Sequence, residues 1–244
     1  VGFVDYVAQI ETQASLLRSA ALKAGPDAPV PSCPEWTVLR LVRHIAEVHT
    51  WAAQAVVTAP EAGRPEWPKA PQDFDETLSW WDNGLALLLD RLRETPEDRL
   101  TWTFGKPATA AFWTRRQAHE TSIHRLDAEL AIGHELPALV FDPEFAADGI
   151  DEYLTVLVAR RLELGAAVSA TGRLLVHAAD AGRAWEVRLT EGQPLVVSPA
   201  RDAAFDADTT LAGGADAIYR ALYARPNHAI VSGDESLLAA LPRP

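Results

Sequence analysis

The sequence contains one cysteine, Cys33, so no disulfide can form within the chain, which suits a reducing compartment. No uncharged apolar run reaches about 18 residues, so no membrane span is expected. Basic residues never cluster beyond a pair and the net charge is -12, which argues against a nucleic-acid backbone as partner. The N-terminal stretch has no signal-peptide core, because Asp5, Glu11 and Gln13 interrupt it. Repeats and low-complexity tracts are missing as well. These absences leave a cytoplasmic globular protein. Its 244 residues, 48% hydrophobic, suffice for one large domain or two modest ones.

The distribution of residues favours two. Seven of the eight tryptophans precede residue 114, and only Trp185 follows. The first part reads as long helices over 2–24, 37–58, 73–94 and 109–132, from apolar residues at three- and four-residue spacing. Proline-rich loops at 27–34 and 59–71 separate them, and Thr37 is a plausible N-cap. Leu100 to Phe104 alternates like a short strand. After Pro137 a helix over 145–158 precedes short strands at 173–178, 184–189, 195–197, 209–212 and 230–234, with helices near 215–224 and before Leu241. The expected fold is therefore α+β in two domains. A four-helix bundle occupies 1–137, and a small α+β domain on a mostly antiparallel sheet occupies 138–244.

Candidate ligands concentrate in Arg115 to Leu130. Helical residues four apart lie about 40° apart around the axis, so Glu120 and His124 share a direction, with Arg116 and Asp127 on the same side. His119, five residues from His124, is turned away by roughly 140°. The string H-E-x-x-x-H therefore fails the i,i+4 histidine spacing of a zinc protease. A catalytic zinc takes about three protein ligands, and the best third candidate is His44, beside the apolar stripe of the second helix. His49 faces elsewhere. A lone histidine beside an apolar stripe reads equally as a satisfied core residue, and an i,i+4 Glu/His pair as an exposed pair. Asp127 reads as a partner of Arg125 or Arg116 at the helix surface, Glu47 as solvent-facing, and Cys33 as structural.

Three segments together carry a resemblance: Val30-Pro31-Ser32-Cys33-Pro34-Glu35-Trp36-Thr37, then Leu41-Val42-Arg43-His44-Ile45-Ala46, then Phe112-Trp113 through Asp127. The chain resembles the mycothiol-dependent maleylpyruvate isomerase family, part of the DinB-like group of metal-binding bundles, with a C-terminal domain similar to sterol-carrier-type modules. The resemblance implies a divalent metal, zinc first and nickel, cobalt or iron(II) also possible, held by His44, Glu120 and His124. It implies mycothiol as cofactor, its metal-bound thiolate adding to a cis-unsaturated diacid that then rotates and expels it. It implies a catalytic role for Arg225, although the family's aromatic-Gly-Arg ending has Ala224 in place of glycine. The expected partners are a small electrophile and the thiol, in a monomer or homodimer. Fold does not fix chemistry, so thiol S-transfer, a non-catalytic binding or regulatory protein, and a water-activating hydrolase with Glu47 as base stand as alternatives.

Overall fold

A computed structural model describes residues 4–133, 135–137, 139–200 and 206–242. The chain divides into two compact units, one covering residues 5–136 and the other the residues from Pro137 onward. In the first, four helices run Tyr6–Ala24 (α1), Val38–Val57 (α2), Phe74–Glu94 (α3) and Ala110–Ala131 (α4). Three of them start where a short polar side chain can accept an otherwise orphaned backbone N–H. Asp5 caps α1 through Ala8 N, Thr37 caps α2 through Arg40 N, and Asp73 caps α3 through Glu76 N. The prediction at Thr37 thus holds, while α1 begins at Tyr6 because Asp5 is its cap and not its interior.

α1 lies along α4, α2 along α3, and α2 also packs on α4. Leu17, Leu41, Ile45, Trp81 and Ala128 fill the space between them and are fully or almost fully buried. The stretch Leu100–Phe104 is not a strand beyond a single bridge, Leu100 to Thr109. Its backbone instead bonds to loops, Trp102 N to Thr58 O at 2.8 Å and Thr101 N to Ala108 O at 3.2 Å. Its alternation serves an aromatic cluster in which Trp51 meets Trp102, Phe104 and Trp113.

The second unit opens with helix α5 (Pro143–Glu152), capped by Asp142 with proline in its first turn. This helix passes through a π-helical turn, Tyr153–Leu157, into α6 (Val158–Glu163), so it extends beyond the expected end at Val158. The sheet comprises β1 (Gly172–Ala178), β2 (Arg183–Leu189), β3 (Val196–Pro199), β4 (Thr209–Gly213) and β5 (Ile230–Gly233), in the order β3-β2-β1-β4-β5. Among the described residues only the β1–β4 pair is parallel, so the sheet is mostly antiparallel as expected. Helices α7 (Ala215–Leu222) and α8 (Glu235–Ala239) complete the unit.

α5 and α7 meet where Gly149 admits the ring of Tyr219; a Cβ at 149 would lie 2.4 Å from Tyr219 Cε2. Phe141, Phe145 and Tyr223 surround that ring, leaving it nowhere to swing. Gly149→Ala is expected to destabilise this unit by about 1–3 kcal/mol, the usual cost of overpacking, read as a lower urea midpoint.

Candidate metal centre

The functional side chains come from α2, α4 and the loop before α2. His44 projects from α2, and Glu120 and His124 from successive turns of α4. The structure brings all three together: their ligand atoms lie within 4.8 Å of one another. Glu120 Oε1 is 3.1 Å from His44 Nε2 and 3.4 Å from His124 Nε2. Donors about 2.0–2.2 Å from a tetrahedral ion are separated by roughly 3.3 Å, so these three could close on one divalent cation with little movement. Imidazole and carboxylate donors suit zinc and several of its neighbours, and they do not choose among them.

The carboxylate and the rings are held from behind. Arg116, only 3% exposed, donates from Nη2 to Glu120 Oε2 at 2.8 Å. Burial would push the Glu120 carboxyl up, but Arg116 and the two histidines outweigh it and hold it well below the usual carboxylate range. Asp127 is fully buried and its Oδ2 lies 2.9 Å from His124 Nδ1. It therefore orients His124 and is not the surface partner that sequence reasoning favoured. Arg125 pairs instead with Glu129 at 2.6 Å, and Arg116 with Glu120, so both expected partners are engaged elsewhere. A carboxylate on Nδ1 directs the other ring nitrogen, Nε2, toward the ligand point.

Ser32 has no role legible in the sequence beyond its place in the Val30–Thr37 segment. Its hydroxyl donates to Asp127 Oδ1 at 2.5 Å, across 95 residues of chain that carry no local signal of the contact. Cys33, half-buried beside it, has Sγ 3.8 Å from Asp127 Oδ2. Trp36 was quoted only as part of a motif. Its ring packs 4.9 Å from that of His44 and 5.9 Å from that of His124, centroid to centroid.

The histidines set aside on spacing lie in the interior. His49 is fully buried, accepting from Trp81 Nε1 at Nδ1 (3.0 Å) and facing Thr121 Oγ1 with Nε2 (2.9 Å). An indole N–H can only donate and Thr121 already donates to Gln117 O, so His49 is neutral with its proton on Nε2. Burial accordingly lowers it to about 3. His119 is also fully buried, edge-on to Tyr6. Glu47 is buried, not solvent-facing, because its oxygens accept from Trp67 Nε1 and Ala70 N and tie down the proline-rich loop.

Arg225 belongs to the second unit. It follows α7, and its Nη1 donates to Tyr223 O at 2.6 Å. Ala224 before it has φ 57°, the left-handed conformation that glycine adopts without penalty. Arg225 N bonds Arg220 O at 2.9 Å, a helix ending in which a left-handed residue precedes the closing N–H. Alanine thus occupies a left-handed position here, where the resemblance implies a glycine.

A four-helix bundle whose facing helices converge a carboxylate and two imidazoles on one point is a scaffold able to hold a metal in its core. Residues 7–129 match the sequence pattern described as the mycothiol maleylpyruvate isomerase N-terminal domain, and the chain belongs to that family. Its fold resembles the crystal structure of the mycothiol-dependent maleylpyruvate isomerase, with TM-score 0.56 and 15% identity over 88% of this chain and 86% of that one. A histidine-to-alanine mutant of the same enzyme gives TM-score 0.50 and 14% identity over 86% and 87%. No curated protein sequence matches significantly.

Two outcomes are expected from these local arrangements. Burial would lower His124, yet its bonds to Asp127 and Glu120 raise it to about 9. Metal would therefore have to displace a proton below that pH, and apparent affinity should rise about tenfold per unit between pH 7 and 8 in chelator-competition titrations. In the metal-free protein the same raised value stabilises the fold fully below about 6.5, the ordinary histidine value, and that contribution is lost as pH rises through 9. Separately, Ala224→Gly should raise stability by about 1 kcal/mol, since alanine there bears the left-handed penalty. The urea midpoint measures it.

Proposed function

We propose that the protein is an enzyme that uses mycothiol to isomerise an activated cis-unsaturated diacid, or to transfer the thiol to a related small electrophile. The observation that carries this reading is the convergence of His44, Glu120 and His124 within the domain that the family's pattern covers. These three would hold a divalent ion, zinc being the first choice by ligand type. When bound, such an ion makes a coordinating thiol ionise at neutral pH.

The chain's own residues prepare for that chemistry. Arg116 keeps Glu120 ionised and turns one of its oxygens toward the histidines. Asp127 fixes the ring of His124 by accepting a hydrogen bond from its Nδ1–H, leaving Nε2 to ligate. Charge supports an anionic ligand. With His124 protonated, the two cations Arg116 and His124 balance the two carboxylates Glu120 and Asp127. A divalent ion in place of that single proton leaves one positive charge in excess, which one thiolate neutralises. To Arg225 we assign a role in substrate binding: its guanidinium would hold a carboxylate bidentately. The support for that role is the family resemblance and the retained helix ending at Ala224.

Hydrolysis has less support, because Glu47, the base it would need, spends its oxygens on Trp67 and Ala70. Metal-loaded protein is expected to convert maleylpyruvate, followed by its ultraviolet absorbance, with mycothiol but not with glutathione or without thiol. His124→Ala should lose stoichiometric metal by elemental analysis while keeping its helical circular dichroism. Turnover without any thiol, or full metal content in His124→Ala, would overturn the reading.

A further inference from the structure

The two proposed imidazole ligands are not held alike. His124 is oriented by Asp127 at Nδ1. His44 has Glu120 at Nε2, but its Nδ1 has no protein hydrogen-bond partner among the described residues. An imidazole anchored at one nitrogen can pivot about that contact, and a ligand that pivots costs affinity because its orientation is lost with each alternative rotamer. What faces the His44 ring is aromatic: Trp36 at 4.9 Å, tilted by 55°, and His124 at 4.9 Å, edge-on. The indole also lies nearly parallel to His124, at 21°.

Trp36 is itself held firmly. Its backbone N bonds Cys33 O at 2.8 Å and its O accepts from Val30 N at 3.0 Å. Next to it, Pro29 and Thr37 form a bridge, and three prolines restrict the preceding loop. The Arg40 guanidinium sits over the indole at 5.4 Å, one turn into α2. The same loop sends Ser32 to Asp127. One rigid strap thus braces both histidines, His124 through a hydrogen bond relayed by Asp127 and His44 through a flat ring.

We propose that Trp36 is a positioning residue for the metal site, fixing the His44 ring by packing where His124 is fixed by a carboxylate. This rests on the metal-site reading above, and its test needs no turnover. Cobalt(II) is titrated into wild-type protein, Trp36→Phe, Trp36→Leu and the His44→Ala background, with affinity from chelator competition and coordination geometry from the visible spectrum. Trp36→Phe keeps a flat face and should stay within a few-fold of wild type. Trp36→Leu keeps apolar bulk without the face; it should weaken cobalt binding about 10- to 100-fold, the usual loss when a ligand's outer support is removed, and alter the spectrum. In His44→Ala protein the Leu substitution should cost clearly less than in wild type, because only the packing of Trp36 on His124 remains to be lost. If Trp36→Leu does not stay folded, Trp36→Met, whose flexible chain fills irregular gaps, takes its place. Wild-type affinity and spectrum in the Leu or Met variant, or an equal loss in the His44→Ala background, would overturn the proposal. A wild-type protein that takes up no cobalt overturns both this inference and the reading beneath it.

Discussion

The arrangement depends on keeping the Glu120 carboxylate charged in a mostly buried place. A carboxylate withdrawn from water is costly unless cations and donors surround it, and removing one partner of a buried pair leaves the other uncompensated. Arg116 supplies the permanent positive charge, one turn earlier on the same helix. The histidines supply the adjustable part, since an imidazole can meet the carboxylate either as a protonated donor or as a neutral ligand beside a cation. Asp127 and Ser32 extend the same compensation outward to the loop before α2. A chain of alternating charge, from Arg116 through Glu120 and His124 to Asp127, is therefore what links α4 to its surroundings at this point.

That requirement explains what the sequence disclosed and what it withheld. Helical spacing suffices to put Glu120 and His124 on one side and to reject His119, because angle around an axis depends on nothing outside the helix. The cap at Thr37 is legible for the same reason, as it acts within three residues, whereas Asp73, read as the first residue of its helix, proves to be the cap. The surface role expected of Asp127 failed because α4 has no solvent face to assign it to. Arg116, Gln117, His119, Thr121, Ser122 and Asp127 are all buried, so polar residues mark its interior instead of its exterior. An amphipathic reading assumes one polar and one apolar side, and α4 offers neither.

Glu47 failed on a related ground. A glutamate near an apolar stripe defaults to solvent, but a loop with four prolines has backbone N–H groups and an indole to place, and Glu47 accepts two of these donors. The contact could not be seen locally, since Trp67 and Ala70 lie a full loop away. Leu100–Phe104 makes the same point for periodicity: alternation records which side chains are buried, not whether a neighbouring strand exists. Ser32 reaches Asp127 across 95 residues of chain, where spacing carries no information.

The same electrostatics bears on the nucleophile of the proposed reaction. Cys33 is the chain's only thiol, and it lies beside the candidate site. Its sulfur, however, faces Asp127 Oδ2 at 3.8 Å, so ionising it would set a thiolate against a carboxylate already committed to His124 and Ser32. A reactive cysteine needs a positive neighbourhood, and here that neighbourhood centres on the ligand point between His44, Glu120 and His124 instead. The protein's own thiol is directed at a negative charge. A fold shared at 15% identity carries no chemistry by itself. The proposal of an external thiol therefore draws on charge: a divalent ion held by His44, Glu120 and His124 would leave one positive charge in excess, whereas the protein's own sulfur faces the Asp127 carboxylate.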